Sequence, residues 1–390
     1  MAGASGVSGY KKKPLPTGTV LLMRSADPMK GDGESSTFPS ILGYVATERH
    51  VRLVFRPEHD EWDLIEQHPE LFDAVLVPES YVAPYPPEHL FASSTPTRLL
   101  DVSRAADIPV WRDPETSGLS SRSVLRLSAT RRLRLTPLAR AFPLPLDLTA
   151  FDRPKARMHA VELVLAAQSG SETAAAPYFN FDRRDSQAFR LNLRLARDVV
   201  SSVADQIPTA FVQVTQRKLL TGLPAAVAAD YAAVGVRRVV IRVRGLKCQQ
   251  ANAQELAAYL DSIEAFQSNG VDAFADCAGL LGPVLVAGGA AGFSTGTRFF
   301  KSVPAAPLSV GGGGGGSPIA AQVPGTFSEV SRPSDQSARD TRVANLKNLR
   351  ALTQLAARDP DALIASLRMD RGIYSAVWAS VLAGRRRRAV

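Results

Sequence analysis

The amino-acid sequence predicts an α/β protein built as a (β/α)8 TIM-like barrel with a C-terminal helical extension. Three observations carry that expectation. Eight short apolar runs recur between residues 19 and 276, most of them separated by segments of helical periodicity. The runs are unbroken rather than alternating, as strands covered on both faces require. An open doubly wound sheet would show the same alternation of elements but advertise a glycine fingerprint after its first strand. Here MRSADPMKGDGES follows the first run and lacks that spacing.

In chain order, residues 1–18 are small, basic and Pro/Gly-containing, and read as a disordered leader. TVLLMRS (19–25) is the first predicted strand, VRLVFRP (51–57) the second and DAVLVPES (73–80) the third. IPVWRDPET (108–116) is the fourth, with acids at its end. TAAAPYFNFD (173–182) is the fifth, weaker because alanine is a poor strand former. PTAFVQVTQ (208–216) and VRRVVIRVRG (236–245) are the sixth and seventh, and the run opening at Val271, VDAFAD, is the eighth. Between them KARMHAVELVLAAQ (155–168), SQAFRLNLRLARDVVSSVAD and AQELAAYLDSIEAFQSNG have helical patterning. Gly235 and Gly270 stand where helices stop.

The barrel is expected over 19–302. Residues 303–330, with six consecutive glycines flanked by prolines, read as a linker or insertion. Two or three helices are expected over 331–384, with Asp359 and Pro360 opening the last pair. RRRR within 385–390 reads as a solvated basic tail.

Composition sets outer limits. With 390 residues, 45% of them hydrophobic, the chain can bury a large core. A net charge of +9, rich in arginine, favours anionic partners, either small phosphorylated molecules or nucleic acid. Two cysteines, Cys248 and Cys277, make neither a disulfide framework nor a zinc box, which suits a reducing, cytoplasmic compartment. No apolar run is long enough for a signal peptide or a membrane span, so no membrane partner is expected. The five histidines are scattered without ligand spacing. Neither a metal nor a cofactor is expected.

Active groups of parallel barrels lie at the carboxyl ends of the strands. Reading that rim, Asp113, Asp276 and Glu79 are the candidate catalytic carboxylates. Arg24, Arg56 and Arg244 are candidates to clamp an anion bidentately. The segment GGAAGFSTGTR (288–298) invites a phosphate-loop reading with Ser294, Thr295 and Arg298 as ligands, although it is not a G-x-x-x-x-G-K-[ST] P-loop. A packed helix and a tight turn explain its glycines equally well. Arg126, Arg131, Arg132 and Arg134 lie in a basic amphipathic stretch able to neutralise phosphates of a nucleic acid, without the aromatics that would stack on bases. Tyr178 and Phe179, at a strand end, suit either ligand stacking or core packing.

VLVPES, AAPYFNF and GGAAGFSTGTRFF, within residues 19–300, resemble a group of uncharacterised actinobacterial and phage-associated TIM-barrel proteins of the phage T4 beta-protein type. A more distant similarity is to tRNA-guanine transglycosylase barrels, a resemblance that implies an aspartate attacking a ribose carbon. The zinc-binding cysteine cluster of that family has no counterpart beyond Cys248 and Cys277. Two functions are therefore expected as alternatives. One is binding of an anionic ligand (phosphorylated sugar, nucleotide or nucleic acid) at the strand ends, with transfer or hydrolysis if it is an enzyme. The other is a non-catalytic scaffold that binds nucleic acid or protein.

Overall fold

The computed structural model describes residues 51–57, 61–82, 98–125, 134, 136–296, 321–322, 325–327, 329–330, 337–370, 372 and 374–389. They all belong to one compact unit, Thr47–Val390. The predicted first strand, 19–25, lies outside the described residues.

The first half of the barrel runs β1 (Arg52–Phe55), α1 (Trp62–Gln67), β2 (Ala74–Pro78), α2 (Glu79–Val82), α3 (Arg98–Ala105), β3 (Val110–Asp113), α4 (Pro137–Ala141), α5 (Pro154–Ala167) and β4 (Thr173–Ala175). The second half runs α6 (Gln187–Ser202), β5 (Ile207–Thr215), α7 (Gln216–Leu220), α8 (Leu223–Ala233), β6 (Arg238–Arg244), α9 (Ala253–Ser268), β7 (Asp272–Ala275), α10 (Leu281–Ala287) and β8 (Gly292–Thr295). A two-strand antiparallel pair, β9 (Ala321–Gln322) and β10 (Glu329–Val330), follows within the predicted linker. Three helices close the chain: α11 (Ala338–Arg358), α12 (Pro360–Met369) and α13 (Ser375–Ala389).

The eight strands β1–β8 are all parallel, in the order β3-β2-β1-β8-β7-β6-β5-β4. The two end strands meet where Glu172 N–H donates to the Val110 carbonyl at 2.9 Å, so the sheet closes on itself as a (β/α)8 barrel. The count of eight is as the sequence predicts, but the membership differs. The run at Val271 is the seventh strand of the ring, and the eighth is Gly292–Thr295, inside the segment read as a phosphate loop.

Side chains divide by parity. Val54, Leu76, Trp111, Ala175, Phe211, Val240 and Phe274 point inward and form their own cluster with Tyr178. Leu53, Phe55, Val75, Val77, Val212, Ile241 and Phe293 point outward and pack with the helices. Most strands are thus apolar on both faces, which is why their sequences show no alternation; β6, with Arg238, Arg242 and Arg244 inward, is the exception. β8 is short and glycine-led because its neighbours leave no room. A Cβ on Gly292 would stand 2.2 Å from the Arg52 carbonyl oxygen and 2.6 Å from the Phe274 ring.

The floor of the barrel, at the amino ends of the strands, is polar. Glu172 accepts from Arg52 Nη1 at 2.6 and 2.7 Å and from Trp111 Nε1 at 2.7 Å. The Arg238 guanidinium lies over the Trp111 ring, 4.3 Å from its centroid. Burial works against the Glu172 charge, but the Arg52 and Trp111 bonds outweigh it and hold the carboxyl below its ordinary value.

The C-terminal helices belong to the body. α11 packs on α10 and on the turn Pro69–Leu71 before β2, the position where the eighth helix of a barrel belongs. Its Arg350 donates to the Leu71 carbonyl and to Asp73, both at 3.0 Å. Asp359 caps α12 by accepting from Ala362 N–H, with Pro360 in the first turn, as the sequence suggests. Trp378 of α13 donates to the Ala251 carbonyl at 2.8 Å. The run RRRR is not a tail. α13 continues through it, and Arg385 pairs with Asp261 and Glu264 of α9. No helix among the described residues is long and apolar enough to cross a membrane.

Candidate functional site

At the carboxyl end, four charged side chains pair with one another. Asp113 ends β3, Asp276 follows β7, Arg242 lies on β6 and Arg56 follows β1. Arg242 donates from Nε to Asp276 Oδ2 at 2.5 Å and from Nη2 to Asp113 Oδ2 at 2.5 Å. One guanidinium therefore holds both carboxylates from below. Arg56 spans the same two acids more loosely, 3.0 Å to Asp113 and 3.3 Å to Asp276, and its side chain is 18% exposed while both acids are fully enclosed. Arg56 is the face of this ion quartet that meets the mouth.

Neutral groups complete the wiring. Tyr178 OH accepts from Arg242 Nη1 at 2.6 Å and donates to Asp113 Oδ1 at 2.9 Å. Ser294 Oγ donates to Asp276 Oδ1 and accepts from Cys277 N–H at 2.9 Å. Gln213 Oε1 receives a longer bond from Arg242, and its amide donates to Asn180. Burial opposes charge on both acids. The Arg242 and Arg56 guanidinia outweigh it and hold Asp113 and Asp276 below the usual carboxylate range. Burial likewise opposes charge on Arg242, and the two aspartates reverse that and raise it well above its ordinary value.

Two residues beside these aspartates have left-handed backbone without being glycine: Glu115 at φ 49° and Cys277 at φ 55°. Such conformations are uncommon and concentrate at functional sites. Glu115 accepts from Ser80 N–H at 2.9 Å, and its own N–H donates to Asp113. Burial first, and the Asp113 charge second, push its carboxyl upward toward the neutral form.

Of the residues singled out from sequence, Asp113, Asp276, Arg56 and Ser294 converge here. Arg244 lies two residues beyond Arg242 on the same side of β6, buried, with its guanidinium lowered by that burial. Glu79 does not join them. Ala74, Leu76 and Pro78 set the inner parity of β2, so Glu79 falls outside the wall, paired with Arg112 beside a small cavity lined by Thr136, Leu138, Val164 and Ala167. Thr295 also has outward parity, buried, with Oγ1 donating to the Gly296 carbonyl at 3.0 Å.

The described part of GGAAGFSTGTR is a helix end and a strand. The N–H groups of Gly288, Gly289, Ala290 and Ala291 donate to carbonyls of Val284, Val286, Leu285 and Ala273, which leaves no anion nest in that stretch. Arg134 donates to the Val124 carbonyl at 2.9 and 2.7 Å and so braces its own loop. Arg24, Arg298, Arg126, Arg131 and Arg132 lie outside the described residues. Among the described residues no group of three or more His, Cys, Asp or Glu side chains is placed to hold a metal ion.

Arg242 is the residue that sequence reasoning missed. The signal is in RVVIRVR, where Arg238, Arg242 and Arg244 share one parity. Compared with family models, with curated proteins and with solved structures, the chain matches none.

Proposed function

We propose that the carboxyl end of the barrel binds a small anionic ligand, a phosphorylated sugar or nucleotide, with Arg56 as the receiving group. One observation carries this reading. Arg56 is the more loosely bonded and more exposed arginine, 18% against 6%, of a quartet whose carboxylates Arg242 already satisfies at 2.5 Å. It can turn to a ligand without leaving either acid unpaired. The left-handed Glu115 and Cys277 beside the acids support a functional site over a purely structural one.

If chemistry follows binding, it is transfer or hydrolysis at the phosphorylated ligand. Asp113 and Asp276, held as anions, then act as nucleophile or electrostatic partner, not as bases poised near neutrality.

The test is calorimetric titration of the full chain with inorganic phosphate and with ribose 5-phosphate. Arg56→Lys keeps the charge and removes the two-pronged fork. Hydrogen bonds to charged groups contribute about 1.5–3 kcal/mol, so the variant should bind roughly ten- to hundredfold more weakly. Equal affinities would overturn the assignment. So would the absence of saturable binding by either probe together with steeply salt-dependent binding to DNA or RNA, which is the behaviour of a nucleic-acid scaffold.

A further inference from the structure

The chain has only two cysteines, and the fold brings them together at the mouth of the barrel. Cys248 sits in the turn after β6, and Cys277 directly follows Asp276 at the end of the neighbouring strand β7. The Cys248 thiol lies against the Cys277 carbonyl oxygen at 3.5 Å. Both side chains are reduced thiols.

From this contact we propose that Cys248 and Cys277 form an oxidative modification site, closing to an intramolecular disulfide in the presence of a hydroperoxide. Disulfides span Cα separations of about 4.4–6.8 Å, so closure requires the Cys248 thiol to swing from the Cys277 carbonyl to the Cys277 sulfur.

The two sulfurs are not equivalent. Cys277 is only half-buried, so of the two it is the sulfur that a peroxide can reach, and its thiol donates to Asp276 Oδ1 at 3.7 Å, which gives it a carboxylate to take its proton. Cys248 is 6% exposed, and its thiol is pushed up to about 12, by burial first and then by Cys277 and Asp276. Cys277 is therefore the attacking sulfur and Cys248 the resolving one. The Cys277 thiolate takes the distal oxygen of the peroxide, breaking the O–O bond, and becomes a sulfenic acid while hydroxide (or alkoxide) leaves. The Cys248 sulfur then attacks the sulfenic sulfur, the S–S bond forms, and the sulfenic oxygen departs as water with the Cys248 proton. The peroxide gains two electrons and each thiol loses one.

The bridge would act on the ion quartet through one hydrogen bond. Cys277 N–H holds Ser294 Oγ, which in turn donates to Asp276. Cys277 reaches this geometry only with its backbone at φ 55°, so a bond pulling on its side chain bears on a position already strained. The disulfide itself does not depend on which ligand the mouth takes.

The test uses the full chain, reduced, desalted and treated with stoichiometric hydrogen peroxide, then denatured in N-ethylmaleimide and weighed. No Lys or Arg lies between Lys247 and Arg298, so both cysteines fall on one tryptic peptide. The expected product is that peptide lighter by two hydrogens and unlabelled. Cleavage after Glu255 or Glu264 should give two fragments that separate only on reduction. With a second equivalent of peroxide, Cys248→Ser should carry Cys277 through the sulfenic acid to sulfinic acid, and Cys277→Ser should leave Cys248 fully labelled. The proposal is overturned if both wild-type thiols still label, if the bridge forms between chains, or if Cys277 overoxidises while Cys248 keeps its thiol. A Cys277→Ser chain that loses its Cys248 thiol as fast as wild type would overturn the order of attack.

Discussion

Replacing Asp276 by Asn changes one atom type inside the most enclosed ionic cluster of the barrel. Asp276 is 3% exposed, accepts from Arg242 Nε at 2.5 Å and faces Arg56 at 3.3 Å. The amide removes the charge that both guanidinia face. Its oxygen can keep the Ser294 bond only by turning its NH2 toward Arg242, donor against donor. The quartet goes from two positive and two negative charges to a net excess of one positive charge, held away from water. Breaking a buried pair by removing one partner costs about 3–5 kcal/mol. Asp113 still satisfies part of Arg242, so the lower end of that range is expected. That is a large share of the roughly 5–15 kcal/mol that stabilises a typical protein.

Urea unfolding at neutral pH should show the loss as a lower midpoint at unchanged slope. The pH dependence follows from the direction of the shift. Asp276 is held below the ordinary carboxylate value when folded, so its contribution is complete above the unfolded value of about 3.9 and fades as pH falls toward the folded one. The gap between wild type and Asp276→Asn should therefore be constant from pH 7 down to about 5 and close at lower pH. Equal midpoints at neutral pH, or a gap that survives acid, would refute the ion-quartet account. Charge-balanced Asp276→Asn/Arg242→Gln should recover part of the loss. A cycle with no coupling between the two sites would refute it independently.

Three further outcomes test the packing, two of them around the site. Tyr178→Phe deletes a buried hydroxyl that bridges Arg242 and Asp113 and should lower stability by about 1–3 kcal/mol, read from the same urea midpoints. Gly292→Ala forces a Cβ against the Arg52 carbonyl and the Phe274 ring and should cost at least about 1–3 kcal/mol. Gly384→Ala, in the last helix with open space around it, should raise stability by about 0.5–1 kcal/mol.

The fold was legible because β1–β7, β6 apart, are apolar on both faces, and because helical periods separate the runs. The same property hid the site's parity. An unbroken run such as DAVLVPES does not say whether Pro78 or Glu79 faces the lumen, and strand-end position alone favoured Glu79. The inward face of β2 is Ala74, Leu76 and Pro78, which places Glu79 with Arg112 outside the wall. Ser294 and Thr295 divide in the same way. Asp113, Arg56 and Asp276 were found because a charge at the end of an apolar run is visible without parity. β8 was invisible as a strand because Gly292 and Ser294, its inward residues, are small. They are small because the Phe274 ring and Asp276 occupy the space they would otherwise fill.

The two ends of the barrel argue for where function lies. Both carry buried arginines against carboxylates, so charge alone does not distinguish them. At the floor Glu172 is fixed by Arg52 and Trp111, and Arg238 stacks on Trp111 with its Nε and Nη1 buried and without a hydrogen-bond partner. At the mouth the aspartates are flanked by Glu115 and Cys277, both left-handed, while the floor has Asp107 at φ 54° before β3; of the two arginines in the quartet, Arg56 is the more loosely held. An enclosed ion pair is rarely more stable than apolar residues of the same volume, and strained backbone costs stability wherever it occurs. These features lie at the carboxyl end, where parallel barrels place their active groups, and the binding site proposed above rests on them.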